Sequence, residues 1–159
     1  MKMQRYDYLL ILLWMVSLVG IGFCIGLLTK PEVNSWYSAL YRSLLTPPNY
    51  VFSVVWTFLY VVLGFVGWFI WSSAPSPEIF LTKRLYLVQL CLNWSWSPLF
   101  FLLHAVDMAL IVLVVMDLIV ATLSWLIYLK NKVVGSLMAL YLVWILFATY
   151  LNAYIWLYN

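Results

Sequence analysis

The sequence predicts an all-α membrane protein, a bundle of five transmembrane helices, on three observations. Of its 159 residues 67% are apolar and 8% charged, with a mean hydropathy of +1.04. Water-facing surface needs polar groups, and so few charges leave nothing to cover a soluble fold of this size. Five apolar runs each reach the roughly 20 residues needed to cross the hydrocarbon core. The charges fall almost entirely at the ends of those runs. Nothing argues for a second domain, so residues 1–159 read as a single membrane domain.

The first run, Tyr8–Thr29, is too long for a signal-peptide core and ends without a small-x-small cleavage site. It reads as a retained helix. The connection Lys30–Thr46 is the one long one, and it carries Trp36, Tyr37 and Tyr41 among polar residues. That composition predicts a folded lid rather than a slack linker. The second helix is expected over Pro48–Ser72, with Thr46 as N-cap and Pro47 at the first helical position. Ser73-Ala74-Pro75-Ser76-Pro77 is a turn signal. The third, fourth and fifth helices are expected over Leu85–Leu103, Met108–Leu129 and Val133–Trp156. No internal repeat of the kind many transporters carry is visible.

Basic residues set the expected orientation. Lys2, Arg5, Lys83, Arg84, Lys130 and Lys132 fall on one side, and Lys30 and Arg42 on the other. The excess puts the N-terminus inside and the C-terminus outside, which fits a bacterial cytoplasmic membrane, with an outer membrane as the alternative. The net charge of +3 forms no basic stripe on a polar face, so nucleic acid is not an expected partner. Cys24 and Cys91 lie inside apolar runs with no CxxC or Cys/His spacing, which predicts neither a disulfide nor a metal site.

Function is to be sought on the helix faces. Gln89, Asn93, Trp96 and Phe100 share one face of the third helix, at steps of four, three and four. Trp56, Tyr60, Gly64, Gly67 and Trp71 form a stripe on the second. Tyr141, Trp144, Ala148, Asn152 and Ile155 form one on the fifth. Turned inward, these stripes would line a flat-walled apolar pocket with a few hydrogen-bonding points. Periodicity alone favours helix packing over a pocket, since amides also glue helices together. Most of Trp14, Trp68, Trp71, Trp125, Trp156 and Tyr158 are expected in interfacial belts. Asp117, near the middle of the fourth helix, is expected to face other helices, because a charge there costs about 2.5–3.5 kcal/mol on insertion. His104 and Asp107 read as caps at the boundary, and Gly22-x-x-x-Gly26 permits a close helix approach. No nucleophile with a base, paired carboxylates, phosphate loop or metal motif appears, so the sequence does not point to an enzyme.

Several runs resemble one known family. Trp36-Tyr37, Thr46-Pro47-Pro48-Asn49-Tyr50-Val51-Phe52 and Val55-Trp56-Thr57-Phe58-Leu59-Tyr60 look like the first loop and second helix of the translocator protein family. That family includes bacterial tryptophan-rich sensory proteins and the peripheral-type benzodiazepine receptor. Leu92-Asn93-Trp94-Ser95-Trp96-Ser97-Pro98-Leu99-Phe100-Phe101 resembles its third-helix motif, and Trp144 with Phe147-Ala148-Thr149-Tyr150-Leu151-Asn152 its fifth. The likeness covers most of the chain in order. It implies a five-helix bundle, commonly a homodimer, that needs no cofactor and binds porphyrins such as protoporphyrin IX and haem under the first loop. The residues so implied are Tyr37, Pro47, Trp56, Tyr60, Asn93, Trp96, Trp144, Ala148 and Asn152. The chain departs from the family at Arg42-Ser43-Leu44-Leu45, where a Lys-Pro and a Trp are usual, and at Leu140, where a proline is common. No basic residue follows Tyr154, so the family's proposed sterol motif is incomplete here. The resemblance leaves three expected roles: sensing of a bound porphyrin, transport of tetrapyrroles or other apolar ligands, and photo-oxidative porphyrin breakdown.

Overall fold

The computed structural model describes residues 5–159, with the backbone alone of Arg5. Lys2 of the orientation argument lies outside the described residues. Helix α1 spans Arg5–Asn34, the short α2 Trp36–Ala39, α3 Asn49–Ser72, α4 Pro77–Ser97, α5 Val106–Lys130 and α6 Lys132–Tyr158. A single π-helical turn, Pro98–Leu102, continues α4. Five helices are long and apolar enough to cross a membrane, as the sequence predicts.

Every spanning helix but α3 starts before its expected span, because helical backbone continues past the hydrocarbon. Helix α1 runs through Pro31 to Asn34 and so takes over the start of the expected lid. At about 1.5 Å per residue its 30 residues reach about 45 Å, more than the roughly 30 Å core. Helix α4 begins at Pro77, eight residues before the expected start at Leu85. Ser76 is its N-cap, with Oγ accepting from the Ile79 N–H at 3.2 Å. The expected cap of the second spanning helix is displaced. Pro48 stands at the N-cap of α3 and Asn49 opens the helix, so neither Thr46 nor Pro47 holds the role assigned to it. Pro48 adopts an extended backbone, and Pro47 is pushed out of the helix by the proline that follows it.

Tight packing is concentrated in two seams. Where α1 crosses α3, a Cβ on Gly64 would stand 2.6 Å from the Met15 Cα, and one on Gly67 would meet Tyr86 and Trp14. A Cβ on Gly22 would collide with the Tyr60 ring, so Gly22 serves the close approach, whereas Gly26 has nothing near it. Where α5 turns into α6, Gly135 lies against the Tyr128 backbone and Asn131 caps α6 through the N–H groups of Val133 and Val134. The core between them includes Leu63, Val66, Leu113, Met138 and Ile145, all fully buried. Helix α1 leans on α3 and makes little contact elsewhere.

Two of the expected aromatic roles change. Trp68 turns into the bundle at 5% exposure and packs beside Phe65, so it is not a belt residue. Trp14 is half-buried against Trp71 and Tyr86. Trp125, Trp156 and Tyr158 do face outward. Cys24 and Cys91 are exposed, free and on different helices.

Candidate ligand-binding site

Helices α1 and α3 meet tightly where Met15 lies against Gly64 and Trp14 against Gly67, and they separate toward the end that carries Lys30 and Asn49. The separation opens a cavity of about 1100 Å³, bounded by α1, α3, the end of α4, the π turn and α6, with α2 over it. Its walls are mostly apolar.

The three predicted stripes converge here, each in part. Trp56 and Tyr60 line the cavity from α3, Asn93, Trp96 and Phe100 from α4 and its π turn, and Ala148, Asn152 and Ile155 from α6. Tyr37 lines it from α2. The lower half of the α3 stripe, Gly64 and Gly67, belongs to the α1 seam instead. Trp144 is not among the lining residues; its ring packs on Phe52 at 5.9 Å and Phe147 at 5.7 Å. Pro47 borders a separate shallow depression beside Tyr41 and Arg42.

A hydrogen-bonded chain forms the floor. The Tyr60 hydroxyl donates to Asn93 Oδ1 at 2.7 Å, and Asn93 Nδ2 donates to the Tyr141 hydroxyl at 2.8 Å. Tyr141 in turn donates to Gln89 Oε1 at 3.2 Å. One turn further along α4, Trp96 Nε1 donates to Asn152 Oδ1 at 3.2 Å, while Asn152 Nδ2 donates to the Val106 carbonyl at 2.8 Å. These bonds fix amide and ring orientations in a place where water is scarce, so the polar groups are set before any ligand arrives. Trp96 stacks on Phe100, with ring centroids 5.5 Å apart.

The π turn was not anticipated, although Pro98 marks it. Pro98 has no N–H, and the ladder resumes with the Leu103 N–H on the Pro98 carbonyl at 3.0 Å. The extra residue swings Phe100 into the bundle at 2% exposure. Beyond it His104 takes a left-handed backbone, φ 53°, unusual for a residue with a Cβ.

That corner holds the lid. The His104 ring stacks on Trp36 at 4.1 Å, and its Nε2 lies 3.2 Å from Glu32 Oε2. Asp107 Oδ1 accepts from the Met108 N–H at 2.8 Å. Tyr37 lies beneath, edge-on to Phe100 and Phe101, with the Arg42 guanidinium 5.1 Å above its ring. Burial pushes the Tyr37 hydroxyl above its ordinary value and Arg42 offsets part of that. Further along, Ser43 Oγ and the Tyr150 hydroxyl share a hydrogen bond of 2.8 Å. The Tyr41 N–H donates to Asn159 Oδ1, and Asn159 Nδ2 donates to the Tyr41 carbonyl. The expected lid is therefore folded, over a shorter stretch than Lys30–Thr46.

Asp117 lies away from the cavity. It is 9% exposed on α5 and accepts from Thr149 Oγ1 of α6 at 2.8 Å, facing another helix as expected.

A family model described as TspO/MBR matches residues 13–157, which takes in all of the bundle but the start of α1 and the end of α6. The chain belongs to the TspO/MBR family. It is 34% identical to the tryptophan-rich protein TspO of Archaeoglobus fulgidus over 145 residues, 91% of this chain and 93% of that one. To the tryptophan-rich sensory protein of Cereibacter sphaeroides it is 32% identical, over 87% and 88% of the two chains. To the human translocator protein it is 31% identical, over 76% and 73%. Family membership and five apolar helices make this TspO/MBR chain an integral, multi-pass membrane protein with a sensor or translocator role.

Proposed function

We propose that this protein is a membrane receptor for a flat, largely apolar ligand of the porphyrin class, held in the cavity between α1, α3, α4 and α6. The observation that carries the reading is the pairing of broad aromatic faces with fixed amides in one cavity. Trp56, Trp96 and Phe100 offer ring surface, while Asn93 and Asn152 are held in place by Tyr141, Trp96 and the Val106 carbonyl. Stacking on such rings adds about 0.5–1.5 kcal/mol per pair beyond burial of area. The volume of about 1100 Å³ stands at the upper end of small-molecule sites, so a macrocycle fits more naturally than a small metabolite. Lys83, Arg84, Lys130 and Lys132 lie at the end opposite the lid, which supports a lid facing away from the cytoplasm.

The test is protoporphyrin IX titration by tryptophan quenching in detergent. Trp96→Ala is expected to weaken binding about tenfold, roughly 1.4 kcal/mol. Trp144→Ala is expected to weaken it less, since Trp144 acts only through Phe52. Non-saturable quenching, or binding indifferent to Trp96→Ala and Trp56→Ala, would remove the reading. Transport is the second reading, favoured by the opening of the cavity between α1 and α3 toward lipid; porphyrin flux across proteoliposomes decides it.

A further inference from the structure

The outer part of the cavity has a different character from its floor. On α1, Gly20, Phe23, Leu27 and Lys30 form one exposed row along its wall. On α3, Tyr50, Ser53, Thr57 and Val61 form the facing row, also exposed. Thr57 turns its hydroxyl back to the Ser53 carbonyl at 2.8 Å, so that hydroxyl is already satisfied. The two helices run antiparallel, so Lys30 lies at the Tyr50 end and Gly20 at the Val61 end. Below, the close approach of Met15 to Gly64 shuts the furrow.

Length and charge select an occupant. From Lys30 to Gly20 is ten residues, about 15 Å of helix, and half of a roughly 30 Å hydrocarbon core is also about 15 Å. A chain whose head sits at Lys30 therefore follows the furrow to the level of the bilayer centre, where the furrow closes. Glu32 is engaged by His104, and Lys30 has no ion pair among the described residues. Lys30 is then a single uncompensated cation at the mouth of an apolar furrow. A Cβ at Gly20 or Gly26 would meet nothing within 4 Å, so both glycines leave space that no protein atom fills.

We propose that this furrow binds one long-chain fatty acid, its acyl chain between the two rows and its carboxylate on Lys30. One cation matches one carboxylate, and single facing rows match one chain. The furrow is the outer part of the same cavity, and acid binding there does not require a porphyrin.

The test uses the full chain in detergent and 9,10-dibromostearate, whose mid-chain bromines quench nearby tryptophans, with the methyl ester as control. Saturable quenching is expected with the acid and weaker quenching with the ester. Gly20→Leu, whose Cβ meets no protein atom within 4 Å, is expected to weaken acid binding about tenfold by filling the furrow. Gly26→Leu serves as the second filling variant. Lys30→Gln is expected to weaken acid binding about fivefold and to abolish the preference for acid over ester. Quenching that rises linearly with mole fraction, equal competition by dioleoylphosphatidylcholine, or indifference to Lys30→Gln and both leucine variants would each overturn the proposal. Protoporphyrin IX titrated against Trp96→Ala in parallel reads the other site separately, so either reading fails on its own.

Discussion

Asn93 joins the cavity to the core. It accepts from Tyr60, which lines the cavity, and donates to Tyr141, which is fully buried. Side-chain hydrogen bonds within membranes average about 0.6 kcal/mol and reach about 1.7. Asn93→Leu removes two of them and strands a buried hydroxyl on Tyr60, so a stability loss of about 1–3 kcal/mol is expected. Tyr60→Phe removes one bond and is expected to cost about 0.6 kcal/mol. Thermal unfolding in detergent checks the order: equal losses would mean that the bonds are not what the two variants share. Tyr37 carries a pH dependence. Burial, partly offset by Arg42, raises its hydroxyl above the ordinary 10.0. Its contribution to stability is therefore complete below pH 10 and falls as pH rises from there through the raised value, since the unfolded chain ionises first. The gap in unfolding midpoint between wild type and Tyr37→Phe should stay constant below pH 10 and shrink above it. At this scale the sequence was informative about residue type and register. Tyr60, Asn93, Trp96, Ala148 and Asn152 were legible because helical spacing brings like residues to one face. Trp144 was not separable from them, because its spacing suits the same stripe and only its neighbour, Phe52, turns it aside.

Among the elements, α3 best separates what a stripe can tell from what it cannot. Trp56, Tyr60, Gly64, Gly67 and Trp71 recur evenly, yet the aromatic half faces a cavity and the glycine half a helix. The partner decides, and a single sequence does not name the partner. The prediction follows from the two kinds of glycine. Gly64→Leu places a side chain against the Met15 backbone, 2.6 Å from its Cα at the Cβ alone, and overpacking of that kind costs about 1–3 kcal/mol. Because backbone cannot move aside as a side chain can, the loss is expected at the top of that range, with α1 displaced and the cavity widened. Unfolding midpoints of Gly64→Leu and Gly20→Leu should diverge sharply; equal midpoints would mean that the α1–α3 seam does not hold the bundle. Helix ends were legible only where a cap is written locally. Spans follow the apolar run, which is why residues 77–84, charged but helical, escaped the expected third helix. The π turn escaped for a related reason, since Pro98 announces an interrupted ladder without saying how it resumes.

At the scale of the whole molecule, the lid is tied down at points supplied by distant parts of the chain: α1 through Glu32, the α4–α5 corner through His104, and α6 through Tyr150 and Asn159. These ties are unequal. The Glu32–His104 pair is partly exposed, and such pairs contribute about 0–1 kcal/mol. Trp36 stacks on His104 and also lies edge-on to Phe100, which forms the cavity wall. Two ring contacts of about 0.5–1.5 kcal/mol each outweigh one screened ion pair. The lid is therefore held by Trp36 more than by charge. Trp36→Ala is expected to speed protoporphyrin IX release about tenfold in stopped-flow displacement, and Glu32→Gln less than about threefold. Raised salt should leave release from the wild type nearly unchanged, since ring contacts are not screened. Release that quickens equally in Glu32→Gln and in high salt would assign the latch to the ion pair and leave the stacked ring as a bystander.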